Sequence, residues 1–179
     1  MAEPSISHKG ALCDLTAEAA REILNYDPET GDFRWKVATG RRCKLGDVAG
    51  WVNRERRTVR RKIAVNGNSY MAHRLAWLYM TGQWPEHEVD HINGDGTDNK
   101  WANLRSATSS QNLRNRGPQA NNKTGFKGVC FDNTRGKFIA TIKLHGKQTW
   151  LGMFATAELA HQAYCVAAKK MHGEFAKTE

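Results

Sequence analysis

The stretch Glu88–Gly117 constrains this chain more than any other, because ionisable residues, turn formers and a helix start share one short frame. Apolar Val89 precedes Asp90 and His91, which stand where a short strand would end. Asn93-Gly94 and Asp95-Gly96 follow as a loop, since these residue types tolerate the backbone conformations of tight turns. Leu104–Ala107 can return as a second short strand. Thr108 then opens a helix, with Gln111 placed to complete a capping box, and Gly117-Pro118 stops it. Strand, loop, strand and helix can together present Asp90, His91, Asn103 and Asn112 around a single small ion.

These residues resemble the HNH nuclease motif of the ββα-metal family, in the form found in phage and intron-encoded homing endonucleases. The Asp-His pair is Asp90-His91, the central Asn is Asn103 of Asn103-Leu104-Arg105, and Asn112 takes the third position. Many members carry His there, so this is the H-N-N variant. The resemblance implies metal-dependent hydrolysis of DNA phosphodiesters. His91 would act as general base, its ordinary pKa of about 6.5 suiting proton removal from water near neutral pH. Asp90 and Asn112 would hold one Mg²⁺ or Mn²⁺ per site through hard oxygens, and Asn103 would hydrogen-bond and orient the His91 side. One site per chain favours a nick, although a dimer could cut both strands. Each residue alone is ordinary turn or surface chemistry; the four in order carry the expectation. The alternative is a non-catalytic DNA-binding regulator that retains a degenerate HNH scaffold.

A length of 179 residues allows one sizeable domain or two small ones. The net charge of +9 calls for an anionic polymer as partner, here double-stranded DNA. No apolar run suffices to span a membrane, and Met1–Leu12 lacks a signal-peptide core. The expected location is therefore intracellular (a bacterial host's cytoplasm if the chain is phage-encoded) and not secreted, as a monomer or homodimer. Cys13, Cys43, Cys130 and Cys165 are scattered without a Cys-x-x-Cys pair, so neither zinc nor a disulfide framework is expected.

Residues 1–13 carry no periodicity and read as a flexible tail. The nuclease domain is expected at 14–117, with its ββα core at 86–117. Leu15, Ala19, Ile23 and Leu24 recur at helical spacing behind a Thr16 cap, and Asp27–Gly31 turns into a strand over Phe33–Val37. A basic ribbon follows through Arg34, Lys36, Arg41, Arg42 and Lys44, then Arg54, Arg56, Arg57, Arg60, Arg61 and Lys62. Strands are predicted over Asp47–Val52 and Val59–Val65, with Asn66-Gly67 making a hairpin back through Asn68–Ala72. The residues from Arg54 to Lys62, with Arg105 and Arg114, are the expected DNA contacts of this half. His73–Thr81 reads as a core helix, with His73 a capping or structural histidine. Pro118–Thr124 is a polar linker.

From Gly125 three strands and a helix follow: Phe126–Phe131, Lys137–Leu144 with its alternating pattern, Gln148–Phe154, and a helix from Thr156 to about Met171. This unit, 125–179, resembles the plant Apetala/ethylene-response-factor DNA-binding domain. The matching words are Gly125–Val129, Gly136–Ala140, Trp150–Phe154 and Ala157–Ala160. The resemblance implies a sheet laid in the major groove, with Lys127, Arg135, Thr141, Lys143, Gln148 and Trp150 as candidate DNA contacts. Cys130 stands where that family has an arginine, which removes one guanine-reading group. The expected class is α+β: an N-terminal antiparallel sheet with helices carrying the ββα-metal motif, and a C-terminal three-stranded antiparallel sheet packed on one helix.

Overall fold

In the computed structural model, Thr16 caps helix α1 (Ala17–Ile23), its Oγ1 accepting the Ala19 amide at 3.2 Å. Residues 15–38, 43–55, 58–119, 121–144 and 146–178 are described. The tail expected at 1–13 and the basic residues Arg41, Arg42, Arg56 and Arg57 lie outside the described residues. Leu24, expected in the helix, instead starts β1 (Leu24–Tyr26), which pairs antiparallel with β2 (Phe33–Trp35). Three residues are too few to show alternation, so only tertiary pairing reveals β1.

The basic ribbon is a sheet in the order β3 (Trp51–Glu55), β4 (Thr58–Val65), β5 (Asn68–Met71), antiparallel throughout. Asn66 and Gly67 join β4 to β5 with φ of 51° and 81°, the positive pair that a tight hairpin turn matched to strand twist requires. β3 begins at Trp51 rather than Asp47; Val48 makes only an isolated bridge to Arg34. Helix α2 (Ala72–Thr81) buries Ala72, His73, Leu75, Ala76 and Leu78. Leu24, Phe33, Ile63, Leu75 and Leu78 are its largest fully enclosed apolar neighbours and members. Each such burial contributes about 1.5–3 kcal/mol, so this layer anchors the first unit. β6 (Glu88–His91) and β7 (Leu104–Ala107) then form a two-stranded sheet, with a 3₁₀ turn at Trp101–Asn103 leading into β7.

The chain divides into two compact units, 1–106 and 107–179. That division falls ahead of the linker expected at 118–124 and assigns helix α3 (Ser109–Asn115) to the second unit. The physical reason is local: α3 lies against the 3₁₀ turn Gly173–Phe175, and the Lys127 ammonium donates to the carbonyls of Arg114 and Arg116. The capping box is present, Thr108 Oγ1 accepting the Gln111 amide and Gln111 Oε1 accepting the Thr108 amide at 2.8 Å. Within the stretch expected as a polar linker, Asn122 Oδ1 accepts the Thr124 amide at 2.8 Å and Nδ2 donates to Phe126 O at 2.7 Å.

The second unit is a sheet in the order β10 (Lys147–Phe154), β9 (Lys137–Leu144), β8 (Val129–Asp132), antiparallel, with α4 (Ala157–His172) on one face. Val129, Ala140 and Ile142 are buried on that face, and Ala160, Tyr164 and Ala168 bring α4 onto it. Gly128 permits the approach: a Cβ there would lie 2.1 Å from the Tyr164 ring. Its φ of 75° also delays the strand start from Phe126 to Val129. The molecule is thus α+β, in both halves as the pattern predicts.

Candidate active site and nucleic-acid interface

Asp90 and His91 end β6 as neighbours, and both are buried, at 5% and 6% exposure. Arg105, one residue into β7, places Nε and Nη2 on Asp90 Oδ2 at 3.0 and 2.9 Å. Arg105 was expected on DNA; its side chain is only 12% exposed and is a partner of the site carboxylate.

His91 Nε2 lies 3.2 Å from Asn99 Oδ1. Asn99 is 1% exposed, and its Nδ2 donates to Thr97 O at 3.1 Å, which turns Oδ1 toward the imidazole. An amide oxygen can only accept, so this contact places the ring proton on Nε2 and the basic lone pair on Nδ1. Asn99 is braced from the first hairpin: Tyr26 Oη donates to Asn99 O at 2.7 Å, and Pro28 O accepts the Trp101 amide at 2.9 Å. Gly31 makes room, since a Cβ there would sit 2.4 Å from the Asn99 carbonyl carbon.

Asn103, expected to hydrogen-bond and orient the His91 side, makes its side-chain bonds to the loop that follows β6. Its Oδ1 accepts the Asn93 amide at 3.0 Å, and its Nδ2 donates to Asn93 Oδ1 at 3.1 Å and Asp98 O at 2.7 Å. It therefore clamps the loop that carries Asn99, and Asn99 makes the bond to the imidazole. Sequence reasoning missed Asn99 because it stands among many polar loop residues, and only its burial distinguishes it.

His73, on the first turn of α2, is not a cap: the Met71 cap position makes no side-chain hydrogen bond, and His73 is buried at 4% exposure. Its ring stands 4.9 Å from that of His91, and its Nδ1 is enclosed with no hydrogen-bond partner among the described residues. Burial, then the charge of His91 and of Arg60, pushes the His73 pKa down to about 3, so the ring is neutral. Burial also holds His91 below the usual imidazole range, with the Arg60 charge acting in the same direction and the Asn99 hydrogen bond opposing it. A neutral His91 at neutral pH is the form a base requires.

Asn112 is half-buried on α3, its backbone amide bonded to Thr108 O at 2.9 Å, and so belongs to the second unit. Among the described residues no three His, Cys, Asp or Glu side chains gather as a metal-holding cluster. The expected donor set asks for fewer: one carboxylate, Asp90, and one amide oxygen, Asn112. Both are hard oxygen donors, a set whose chemistry fits Mg²⁺ or Mn²⁺.

Of the expected DNA contacts in the first unit, Arg54 is exposed on β3. Arg61 approaches Asp32 at 4.0 Å and Lys62 pairs with Glu55 at 3.2 Å, so both are partly neutralised. Arg60 precedes them on β4, and its charge reaches both imidazoles. In the second unit Arg114 Nη2 donates to Ser110 Oγ at 3.2 Å. Lys127, half-buried on carbonyls, anchors α3, and burial lowers its pKa to about 8. Arg135 pairs with Asp132 at 2.9 Å yet stays 65% exposed. Thr141 pairs with Trp150 and Lys143 with Gln148 across β9 and β10; Trp150 is 63% exposed, which places it outside the core.

No helix among the described residues is long and apolar enough to cross a membrane. The HNH endonuclease family model matches residues 70–114, and the AP2 domain model matches residues 124–174. Protein 3.8 of Escherichia phage T7 is 27% identical over 106 residues, covering 59% of this chain and 87% of that protein. The dehydration-responsive element-binding protein 2A of Arabidopsis thaliana is 37% identical over 67 residues, 36% of this chain and 20% of its own length. The dehydration-responsive element-binding protein 1E of Oryza sativa subsp. indica is 32% identical over 105 residues, 57% of this chain and 48% of its own length. This chain thus spans a fifth and about half of the two plant proteins. An HNH-type endonuclease domain and, after it, an AP2 DNA-binding domain are both present in this chain.

Proposed function

We propose that this protein is a metal-dependent, site-specific DNA endonuclease of the homing type found in phages and mobile elements, and that it nicks one strand. The observation that carries the reading is the His91–Asn99 contact at 3.2 Å, which leaves a neutral, oriented imidazole with its base on Nδ1. His91 would take a proton from the attacking water. Asp90 would hold one Mg²⁺ or Mn²⁺, which when bound neutralises charge building on the phosphate oxygens and leaving group. Arg105 holds the Asp90 carboxylate in place, Asn103 holds the loop, and Arg60 adds positive charge beside the imidazoles where a phosphate would sit. The nuclease part ends at a linker over 118–124, and residues 125–179 choose the target. It works as a monomer or homodimer on double-stranded DNA inside the cell.

A second reading, a DNA-binding regulator without catalysis, draws on the Asp90–Arg105 pair, in which a guanidinium already neutralises the metal-binding carboxylate. Incubating supercoiled plasmid that carries the target with Mg²⁺, with and without EDTA, separates the two. Endonuclease action gives open circles with Mg²⁺ alone, lost in His91→Ala while binding remains. Binding without any scission under Mg²⁺ or Mn²⁺ leaves the regulator.

A further inference from the structure

The face of the second unit's sheet turned away from α4 has an unusual composition for a surface that meets an anionic polymer. Val129, Ala140 and Ile142 point into the core, so alternation sends Cys130, Ile139, Thr141 and Lys143 to the opposite face. Cross-strand register extends the pattern: Cys130, Ile139 and Met153 form one row, Thr141 and Trp150 the next, Lys143 and Gln148 the last. A bulge between Trp150 and Gly152 turns Leu151 inward with Gly152, which keeps both Trp150 and Met153 outside. Two rows are thus apolar or nearly so, and polar rows bound them on either side, Lys143 with Gln148 and Asp132 with Lys137.

Charge complementarity identifies the occupant. Residues 107–179 carry eleven Lys and Arg against four Asp and Glu, a net +7 of the chain's +9. Lys137, Lys143 and Lys147 are exposed on the strands that frame the face. The one carboxylate on β8, Asp132, is already paired with Arg135. A cationic rim around an apolar centre suits duplex DNA, with phosphates at the rim and base edges at the centre. The major groove admits a β-ribbon, and the group it offers to an apolar side chain is the thymine C5-methyl. Gln148 adds the donor–acceptor pair that matches adenine N6 and N7. No arginine stands on the two apolar rows to grip guanine.

We infer that this sheet face reads A·T pairs in the major groove, with the row Cys130, Ile139 and Met153 packing on thymine methyl groups. The inference rests on the DNA-binding part of the function proposed above and deepens it to a base preference.

The test titrates the full-length protein, in EDTA to prevent cutting, against short duplexes that differ only in base content. One is all A·T, a second has every thymine replaced by uracil, a third is all G·C, and a fourth is that G·C duplex with 5-methylcytosine. Uracil removes the methyl and leaves the minor groove unchanged, so it isolates the major-groove contact. The A·T duplex should bind tightest, lose about fourfold per methyl contacted on uracil substitution, and be partly matched by the methylated G·C duplex. Ile139→Ser, on the outer face, should erase the thymine–uracil difference while salt-dependent binding persists. Equal binding to thymine and uracil duplexes overturns the inference, including when A·T is still preferred over G·C. Binding to no duplex instead overturns the DNA-binding reading beneath it.

Discussion

The imidazole of His73 stands edge-on to that of His91, ring centroids 4.9 Å apart and planes at 72°. The two rings come from α2 and β6, and one acquires its chemistry partly from the other. His73 takes up a proton near pH 6.5 in the unfolded chain but only near 3 when folded, because burial first, and then the charges of His91, Arg60 and Arg74, oppose its protonation. Between those values the unfolded state binds more protons, so stability falls as pH drops from about 6.5 toward 3 and is independent of His73 above that range. His73→Phe should flatten this slope, removing on the order of 3–5 kcal/mol of acid sensitivity. Denaturant unfolding at pH 7 and at pH 4 measures it; parallel slopes in both proteins would exclude His73 as the source.

Asn99→Ala removes the acceptor that fixes the His91 tautomer. Cleavage should fall roughly 10–100-fold while DNA affinity stays within twofold, by analogy with other outer-shell partners of catalytic ligands. Asn99→Asp keeps an acceptor and should retain more activity than alanine. Full activity in Asn99→Ala, measured on plasmid nicking, would return the orienting role to another residue.

Arg105→Met leaves the buried Asp90 carboxylate without its 2.9 and 3.0 Å donors. Breaking such a pair costs roughly 3–5 kcal/mol, and Mg²⁺ should restore part of it by supplying the missing positive charge. Thermal unfolding with and without Mg²⁺ reads both effects. A variant that Mg²⁺ does not stabilise would count against Asp90 as a ligand.

Gly128→Ala sets a Cβ 2.1 Å from the Tyr164 ring at a φ of 75°. Overpacking and backbone strain together should destabilise the second unit by at least about 2 kcal/mol. The first unit has its own core, so DNA binding by the sheet should be lost at lower temperature than the far-ultraviolet signal of α1 and α2. A single unshifted transition would refute this.

Lys143→Ala, at the polar end of the outer sheet face, should lower the log–log salt slope of duplex binding by about 0.9. Arg135→Ala, whose charge is shared with Asp132 at 2.9 Å, should change it less. Fluorescence anisotropy across a salt series gives both slopes, and equal changes would mean that the ion pair opens on binding.

Local signals determined much of this protein by themselves. Thr16, Thr108 with Gln111, and Asn66-Gly67 act through neighbouring residues, so capping and turn chemistry is written in the chain. The alternation in Lys137–Leu144 and the Asp90-His91 strand end are local in the same sense. Tertiary structure decided which polar residue serves which partner. Asn99 rather than Asn103 bonds His91, Arg105 bonds Asp90, Lys127 bonds backbone, and His73 meets His91 from another element. Such choices depend on burial and on distances between residues far apart in sequence. One polar loop residue looks like another until the fold encloses it, because only enclosure makes an unmet hydrogen bond costly.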